Sequence, residues 1–330
     1  MTPGLVDQHC HGALGVDFAT APTSEIRGAL QQLSARGVTR VVASVPTMPP
    51  DAMLAAVRRL ATLVQEDSLA GIHVEGPFLA ESRCGAQSPT DLRRPDAPGA
   101  VQWVSALLET GGRALTAMTY APELPGAERL EEMLLAAGVL PSPGHTEASS
   151  AELAAAVERI HPGRLAVTHL FNAMPPFHHR TPGPTMRALA LAAQGRLRLE
   201  LIADGHHVDS TVIQDVFTLA PDAVCVVSDA SAATEAAPGH YALGAVTVTA
   251  GTATPASTDH AVLASGAVLL DGAFQHLLRW GIPVEDAVPT VTSTPAEGLP
   301  HSRRDSGWVV WNGDGRAAVV VPPGSQPVPQ

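Results

Sequence analysis

Gly4-Leu5-Val6-Asp7-Gln8-His9-Cys10-His11 reads as a β-like run that closes on two imidazoles. A doubly wound sheet would follow its first strand with a Gly-rich phosphate loop; His-Cys-His stands there instead. Residues i and i+2 of a strand face one side, so His9 and His11 can reach one ion. Taken alone, such a pair is a weak signal. Its weight depends on what recurs downstream.

Similar runs recur at 38–46, 69–77, 114–122, 139–145, 165–172, 197–207 and 223–230. Most are rich in Val, Ile and Leu without clean alternation, as expected for strands buried on both faces. Between them lie candidate helices at 24–36, 51–65, 127–137, 148–160 and 210–219, with start signals at Pro50-Asp51 and Thr146-Glu147-Ala148-Ser149. Eight strands alternating with helices predict a (β/α)₈ TIM barrel, an α/β fold of roughly 250 residues. We assign residues 1–300 to it, including two further helical stretches at 266–280 and 284–296. Residues 301–330 read as the remnant of a small β domain: strands at 308–311 and 317–321 about an Asn312-Gly313-Asp314-Gly315 turn, then a Pro-rich frayed end.

A composition of 45% hydrophobic and 16% charged residues supports a sizeable core and argues against disorder. A net charge of −12 argues against nucleic acid or an anionic membrane surface as partner. No run of about 18 apolar residues suggests a membrane span. All 20 basic residues are arginine. Schiff-base, P-loop and carbamylated-lysine chemistries are thereby excluded. Cys10, Cys84 and Cys225 are scattered and odd in number, which suits a reduced, cytoplasmic setting, and no signal peptide is visible.

The chemistry lies at the strand ends. His9 and His11, Glu75, His145, His169, His207 and Asp229 close the first, third, fifth, sixth, seventh and eighth expected strands. In a barrel those ends converge on one face. Imidazole and carboxylate converging there suit a divalent metal of the Zn, Fe, Mn or Co type, one or two ions per subunit. Glu75, His145 and His169 offer three ligands and leave a position open for water. Without lysine, any carboxylate bridging two ions must be Glu or Asp, and Glu75 is best placed; His73, two residues earlier, reads as a core histidine. Asp229 either caps the following segment or serves as general acid/base beside a metal-activated water, whose pKa falls from about 15.7 towards 7. Arg180, at the end of the Pro-rich stretch Phe171–Arg180, and His207 are candidates for an anionic substrate group.

These motifs together resemble the N-acetylglucosamine-6-phosphate deacetylase family of the amidohydrolase superfamily. They are Pro3–Asp7 leading into His9 and His11, His73-Val74-Glu75-Gly76-Pro77-Phe78-Leu79, Gly144-His145-Thr146, Thr168-His169-Leu170-Phe171-Asn172-Ala173-Met174, Ile202-Ala203-Asp204-Gly205-His206-His207 and Ser228-Asp229-Ala230. The resemblance implies hydrolysis of the sugar's acetamide to glucosamine 6-phosphate and acetate, in amino-sugar catabolism. It implies Glu75, His145 and His169 on the principal metal, and Asp229 as acid/base. Some members lack the histidine pair and use one metal; the retained His9 and His11 leave open a second ion held with Asp229 and a bridging Glu75. Ala86, Asn172, Ala173, Arg180, His207 and Leu263, Ala264 and Ser265 match substrate-contacting positions, with Arg180 and His207 on the phosphate. A homodimer is implied, with Arg180 serving the neighbouring site.

Two departures stand out. The family usually begins with a segment that builds part of a small β-sandwich, so we expect that appendage to be truncated or the start to be placed late. Arg83-Cys84-Gly85-Ala86-Gln87 replaces a basic residue and Gly-Ala-His, which alters the contacts of that loop. The rival expectations are an N-acetylgalactosamine-6-phosphate deacetylase, another amidohydrolase, or an inactive sugar-phosphate sensor.

Overall fold

A computed structural model describes residues 1–160, 166–251, 256–257, 263–300, 304–313 and 315–321. Eight parallel strands run in chain order: β1 (Leu5–Cys10), β2 (Val38–Val45), β3 (Gly71–Glu75), β4 (Leu115–Tyr120), β5 (Leu140–Pro143), β6 (Ala166–Val167), β7 (Arg198–Ile202) and β8 (Val224–Val227). The first five form one parallel sheet and the last three another. Backbone bonds join the two: Thr168 N–H donates to the Pro143 carbonyl, and Asp229 N–H to the His9 carbonyl, both at 2.9 Å. Cys10 and Ala230 complete a parallel bridge between the eighth strand's end and the first. The arrangement is consistent with a TIM-type barrel. Leu165, the first residue of the expected sixth strand, lies outside the described residues.

Helices pack outside this ring: α1 (Thr23–Ala35), α2 (Pro50–Gln65), α3 (Ala100–Gly111), α4 (Ala127–Ala136), α5 (Ser150–Arg159), α6 (Thr185–Ala192) and α7 (Ser210–Leu219). Their starts follow local chemistry. Pro50 opens α2, where its missing N–H costs nothing. Ser149 and Glu152 form a reciprocal capping box on α5, and Asp209 accepts from Thr211 N–H on α7. One continuous core joins strands and helices, including Leu5, Ile26, Met53, Leu60, Ile72 and Tyr120, all fully buried.

Inside the ring a chain of hydrogen bonds crosses five strands. Ser44 Oγ lies 2.9 Å from His73 Nδ1, and His73 Nε2 lies 2.7 Å from Thr119 Oγ1. Thr119 bonds Thr168 at 2.7 Å, Thr168 bonds Ser142 at 2.8 Å, and Ser142 donates to the Ala166 carbonyl. Burial and the neighbouring His9 hold the His73 imidazole well below its ordinary pKa, hence neutral. His73 is a satisfied core histidine, as expected.

Three expectations need correction. The helix expected over 284–296 is two, α9 (Val284–Val291) and α10 (Ser293–Glu297), divided at Thr292 with φ −132°; α8 (Leu270–Arg279) precedes them. An antiparallel hairpin, β9 (Gly239–Leu243) with β10 (Val246–Ala250), lies in the stretch after the eighth strand where none was expected. The expected strands at 308–311 and 317–321 are present as β11 (Trp308–Trp311) and β12 (Ala317–Val321), but Thr2–Pro3 joins them in a three-stranded antiparallel sheet. A sandwich is not seen among the described residues. The expected Pro-rich end beyond residue 321 lies outside the described residues, as does Asp314 of the turn.

Candidate metal centre and active site

Glu75 is the last residue of β3, whereas His145, His169 and Asp229 each sit two residues past β5, β6 and β8. All three have left-handed backbone, with φ of 48°, 29° and 48°. Such conformations are costly for non-glycine residues and persist where surrounding structure over-determines them. Here they turn three side chains off the end of the ring towards one point. Between Glu75 and Pro77, Gly76 has φ 84°, and a Cβ there would lie 2.2 Å from Thr47 Oγ1. Only glycine fits.

The atoms gather into two groups. Glu75 Oε1 lies 3.1 Å from Nε2 of both His145 and His169, and those two nitrogens are 3.1 Å apart. His9 and His11 bring their Nε2 atoms within 3.1 Å, with Asp229 Oδ1 3.3 Å from the first and 3.5 Å from the second. Glu75 faces both groups, its Oε2 being 3.3 Å from His11 Nε2. Within each group all ligand atoms lie within 4.8 Å of one another, and every residue is buried.

Two imidazole nitrogens cannot both direct lone pairs at each other across such distances without a cation or shared proton between them. The electrostatics say the same. Burial alone would raise both carboxyls, yet His145, His9 and His11 hold Glu75 well below the ordinary carboxylate value. His9, His11 and His169 likewise hold Asp229 down. Burial opposes charging His9, but Asp229, Glu75 and Glu200 push it up to about 10; Asp229 and Glu75 push His11 up to about 9. The cluster demands positive charge. A divalent ion fits its mixed nitrogen and oxygen donors.

Neighbouring groups orient the cluster. Gln87 donates from Nε2 to Glu75 Oε2, and its Oε1 accepts from Thr47 N–H at 2.7 Å. The backbone donor fixes which way the amide points. Gln87, the departure noted in the sequence, is thus buried and bonded to Glu75. His145 Nδ1 donates to the Arg83 carbonyl at 2.8 Å, and His9 Nδ1 lies 3.2 Å from Glu200 Oε2. Sequence reasoning missed Glu200. Its signal was a carboxylate flanked by Leu199 and Leu201 in a run expected to be buried on both faces.

A cavity of about 260 Å³ opens above the cluster, lined in part by Glu75, His145, His169 and Asp229. Of the expected substrate positions, Ala86, Asn172, Ala173, His207, Leu263 and Ala264 line it. His207 lies in the loop beyond β7 rather than at the strand's end. Asp204 Oδ2 accepts from its Nδ1 at 2.7 Å and from Ala267 N–H at 3.0 Å. Burial opposes charge on His207, but Asp204 prevails and raises its pKa. Ser265 is not on the cavity wall: it is fully buried and bonds Ser231 Oγ at 2.7 Å. Arg180 is exposed, beside His179, and does not line the cavity either. Leu243, from the unexpected hairpin, does.

A parallel α/β ring with four imidazoles and two carboxylates buried at its strand ends defines a class of fold and site, one that could hold a divalent metal. Comparison narrows it. N-acetyl-D-glucosamine-6-phosphate deacetylase from Mycobacterium smegmatis, solved as an aspartate-to-alanine variant in complex with N-acetyl-D-glucosamine-6-phosphate, superposes with TM-score 0.88 at 32% identity, over 97% of this chain and 85% of that one. The N-acetylglucosamine-6-phosphate deacetylase of Danio rerio is 33% identical over 261 residues, 74% of this chain and 61% of the relative. That of Vibrio furnissii is 29% identical over 304 residues, 91% of this chain and 73% of the relative. No family model matches. The chain belongs to the N-acetylglucosamine-6-phosphate deacetylase family of the amidohydrolase superfamily. It spans less than two thirds of the Danio rerio relative's length.

Proposed function

We propose that the protein hydrolyses the acetamide of N-acetylglucosamine 6-phosphate to glucosamine 6-phosphate and acetate, in amino-sugar catabolism. One observation carries this reading: Glu75, His145 and His169 converge on one point in the cavity wall, with Asp229 beside them. On this reading Glu75, His145 and His169 hold the principal divalent cation, and His9, His11 and Asp229 hold a second, with Glu75 between. A cation so held supplies Lewis acidity, making an amide carbonyl more electrophilic and a water more acidic.

Asp229 does the proton work. Held ionised by its histidine neighbours, it takes a proton from the attacking water as the C–O bond forms at the acetyl carbon. It returns that proton to the amine nitrogen as the C–N bond breaks, releasing acetate. His207, its pKa raised by Asp204 against the effect of burial, binds the phosphate, and Ala86, Asn172, Ala173, Leu263 and Ala264 border the sugar. Arg180 serves the phosphate of a neighbouring subunit in a homodimer, which accords with its place outside this cavity.

The reading places the site on a (β/α)₈ barrel of residues 1–300, with 301–330 assigned to a small β domain. Among the described residues no helix is long and apolar enough to cross a membrane. Three free cysteines suit a reducing, cytoplasmic setting. The test is acetate release by metal-reconstituted protein from N-acetylglucosamine 6-phosphate, with the galacto epimer in parallel. Acetate from the galacto epimer alone would reassign the substrate. Binding without acetate from either would mark a sugar-phosphate sensor and end the hydrolase reading.

A further inference from the structure

Of the four clustered imidazoles, two have their outer nitrogen held. His145 Nδ1 is 2.8 Å from the Arg83 carbonyl, and His9 Nδ1 is 3.2 Å from Glu200 Oε2. The Nδ1 atoms of His11 and His169 are buried without a partner. One held ring therefore falls in each of the two groups.

A carbonyl oxygen or an ionised carboxylate only accepts. As ligands, both held rings would carry their single proton on Nδ1 and turn the Nε2 lone pair inward. The two holders differ in strength. Arg83 offers a neutral carbonyl, whereas Glu200 offers an anion, and a ring that donates to a carboxylate is the more basic ligand. Glu200 Oε2 also lies 3.4 Å from His169 N–H, which donates to it. One oxygen is thereby tied to a residue of each group. Glu200 sits mid-strand in β7, between Leu199 and Leu201, both fully buried. A carboxylate is rarely placed there unless paired.

We propose that Glu200 is a positioning residue for the second divalent cation: it selects the His9 tautomer that lets His9, His11 and Asp229 bind an ion together. The inference rests on the two-ion part of the proposed function and goes beyond it by naming a residue outside the ligand set. Glu200 touches neither substrate nor reacting atoms.

Cation binding tests it without any turnover. Chelator-stripped protein is titrated with Co²⁺, and the equivalents are counted by calorimetry and by cobalt absorption. The parent should take two equivalents. Glu200→Ala should weaken the second about 10- to 100-fold and leave the first nearly unchanged. Glu200→Gln, whose carbonyl can still accept from His9 Nδ1, should recover part of the loss. Thermal melts of the stripped proteins verify folding, and if Glu200→Ala unfolds, Glu200→Gln alone decides by whether its second equivalent weakens. Two unaltered equivalents in a folded variant, or equal weakening of both, would overturn the proposal. A parent that takes one equivalent would remove the second site and the inference with it, while leaving the one-ion hydrolase reading intact.

Discussion

Asp229 and Glu75 are both carboxylates among histidines, but they face different consequences on removal. Glu75 touches both imidazole groups and is bonded by Gln87; Asp229 Oδ1 lies 3.3 and 3.5 Å from the His9 and His11 nitrogens. Asp229→Asn should therefore lower kcat by about 10²- to 10⁴-fold, the range for a lost acid/base. The first cation and sugar phosphate should stay bound, as steady-state kinetics with parallel metal analysis would register. Glu75→Ala should instead lose both metal equivalents and turnover together. Near-parental turnover in Asp229→Asn would remove that residue from its role.

His207 gives the residue scale a pH dependence. Its folded pKa is raised above the ordinary 6.5, so the stability gained from charge is fully present below about 6.5 and is lost as pH rises through the folded value. Asp204 is held below its ordinary 3.8 by the same pair, so its contribution is present above 3.8 and fades as pH falls below it. The pair is strongest between those limits. For function, KM for the sugar phosphate should rise as His207 deprotonates, with kcat less affected. Asp204→Asn should move that rise to lower pH, and a KM profile superimposable on the parent's would refute the assignment.

At the scale of elements, the strands were readable because barrel strands buried on both faces are continuous apolar runs. α7 was expected at 210–219 and is found there (Ser210–Leu219), since Asp209 caps its start and Ala220 leaves helical backbone at its end. α3 and α6 were missed. Neither Gly99 before α3 nor Pro184 before α6 supplies a side-chain cap. The β9–β10 hairpin was missed because its strands are short and partly exposed around Gly244. α2 shows what such an element contributes: Leu60 is fully buried against the ring. Leu60→Ala should cost about 2–5 kcal/mol by denaturant unfolding, with metal stoichiometry unchanged in the folded fraction.

For the molecule as a whole, the two ends of the described chain meet. Thr2–Pro3 pairs with Trp308 and Val309, and Trp311 donates from Nε1 to Thr2 Oγ1 at 2.8 Å while its ring lies 5.7 Å from that of Phe274. Trp311→Ala should lower Tm, at a cost of at most about 3 kcal/mol because the ring is only partly buried. It should leave Co²⁺ binding intact, since none of these contacts involves the cluster. A Trp311→Ala protein that melts with the parent would show that this small sheet adds nothing to stability.

The strand count, the absence of lysine and the residue types at the strand ends belong to the sequence, because periodicity and chemical type are local properties. Glu75, His145, His169, His9, His11 and Asp229 could be named from that alone. The bond from Gln87 to Glu75 and the hold of Glu200 on His9 came only with the tertiary structure. So did the burial of Ser265 and the place of Arg180 outside the cavity. Each of these is a contact or a side-chain direction between residues far apart in the chain, and it exists only once the ring has closed and three strained backbone turns have aimed their side chains inward.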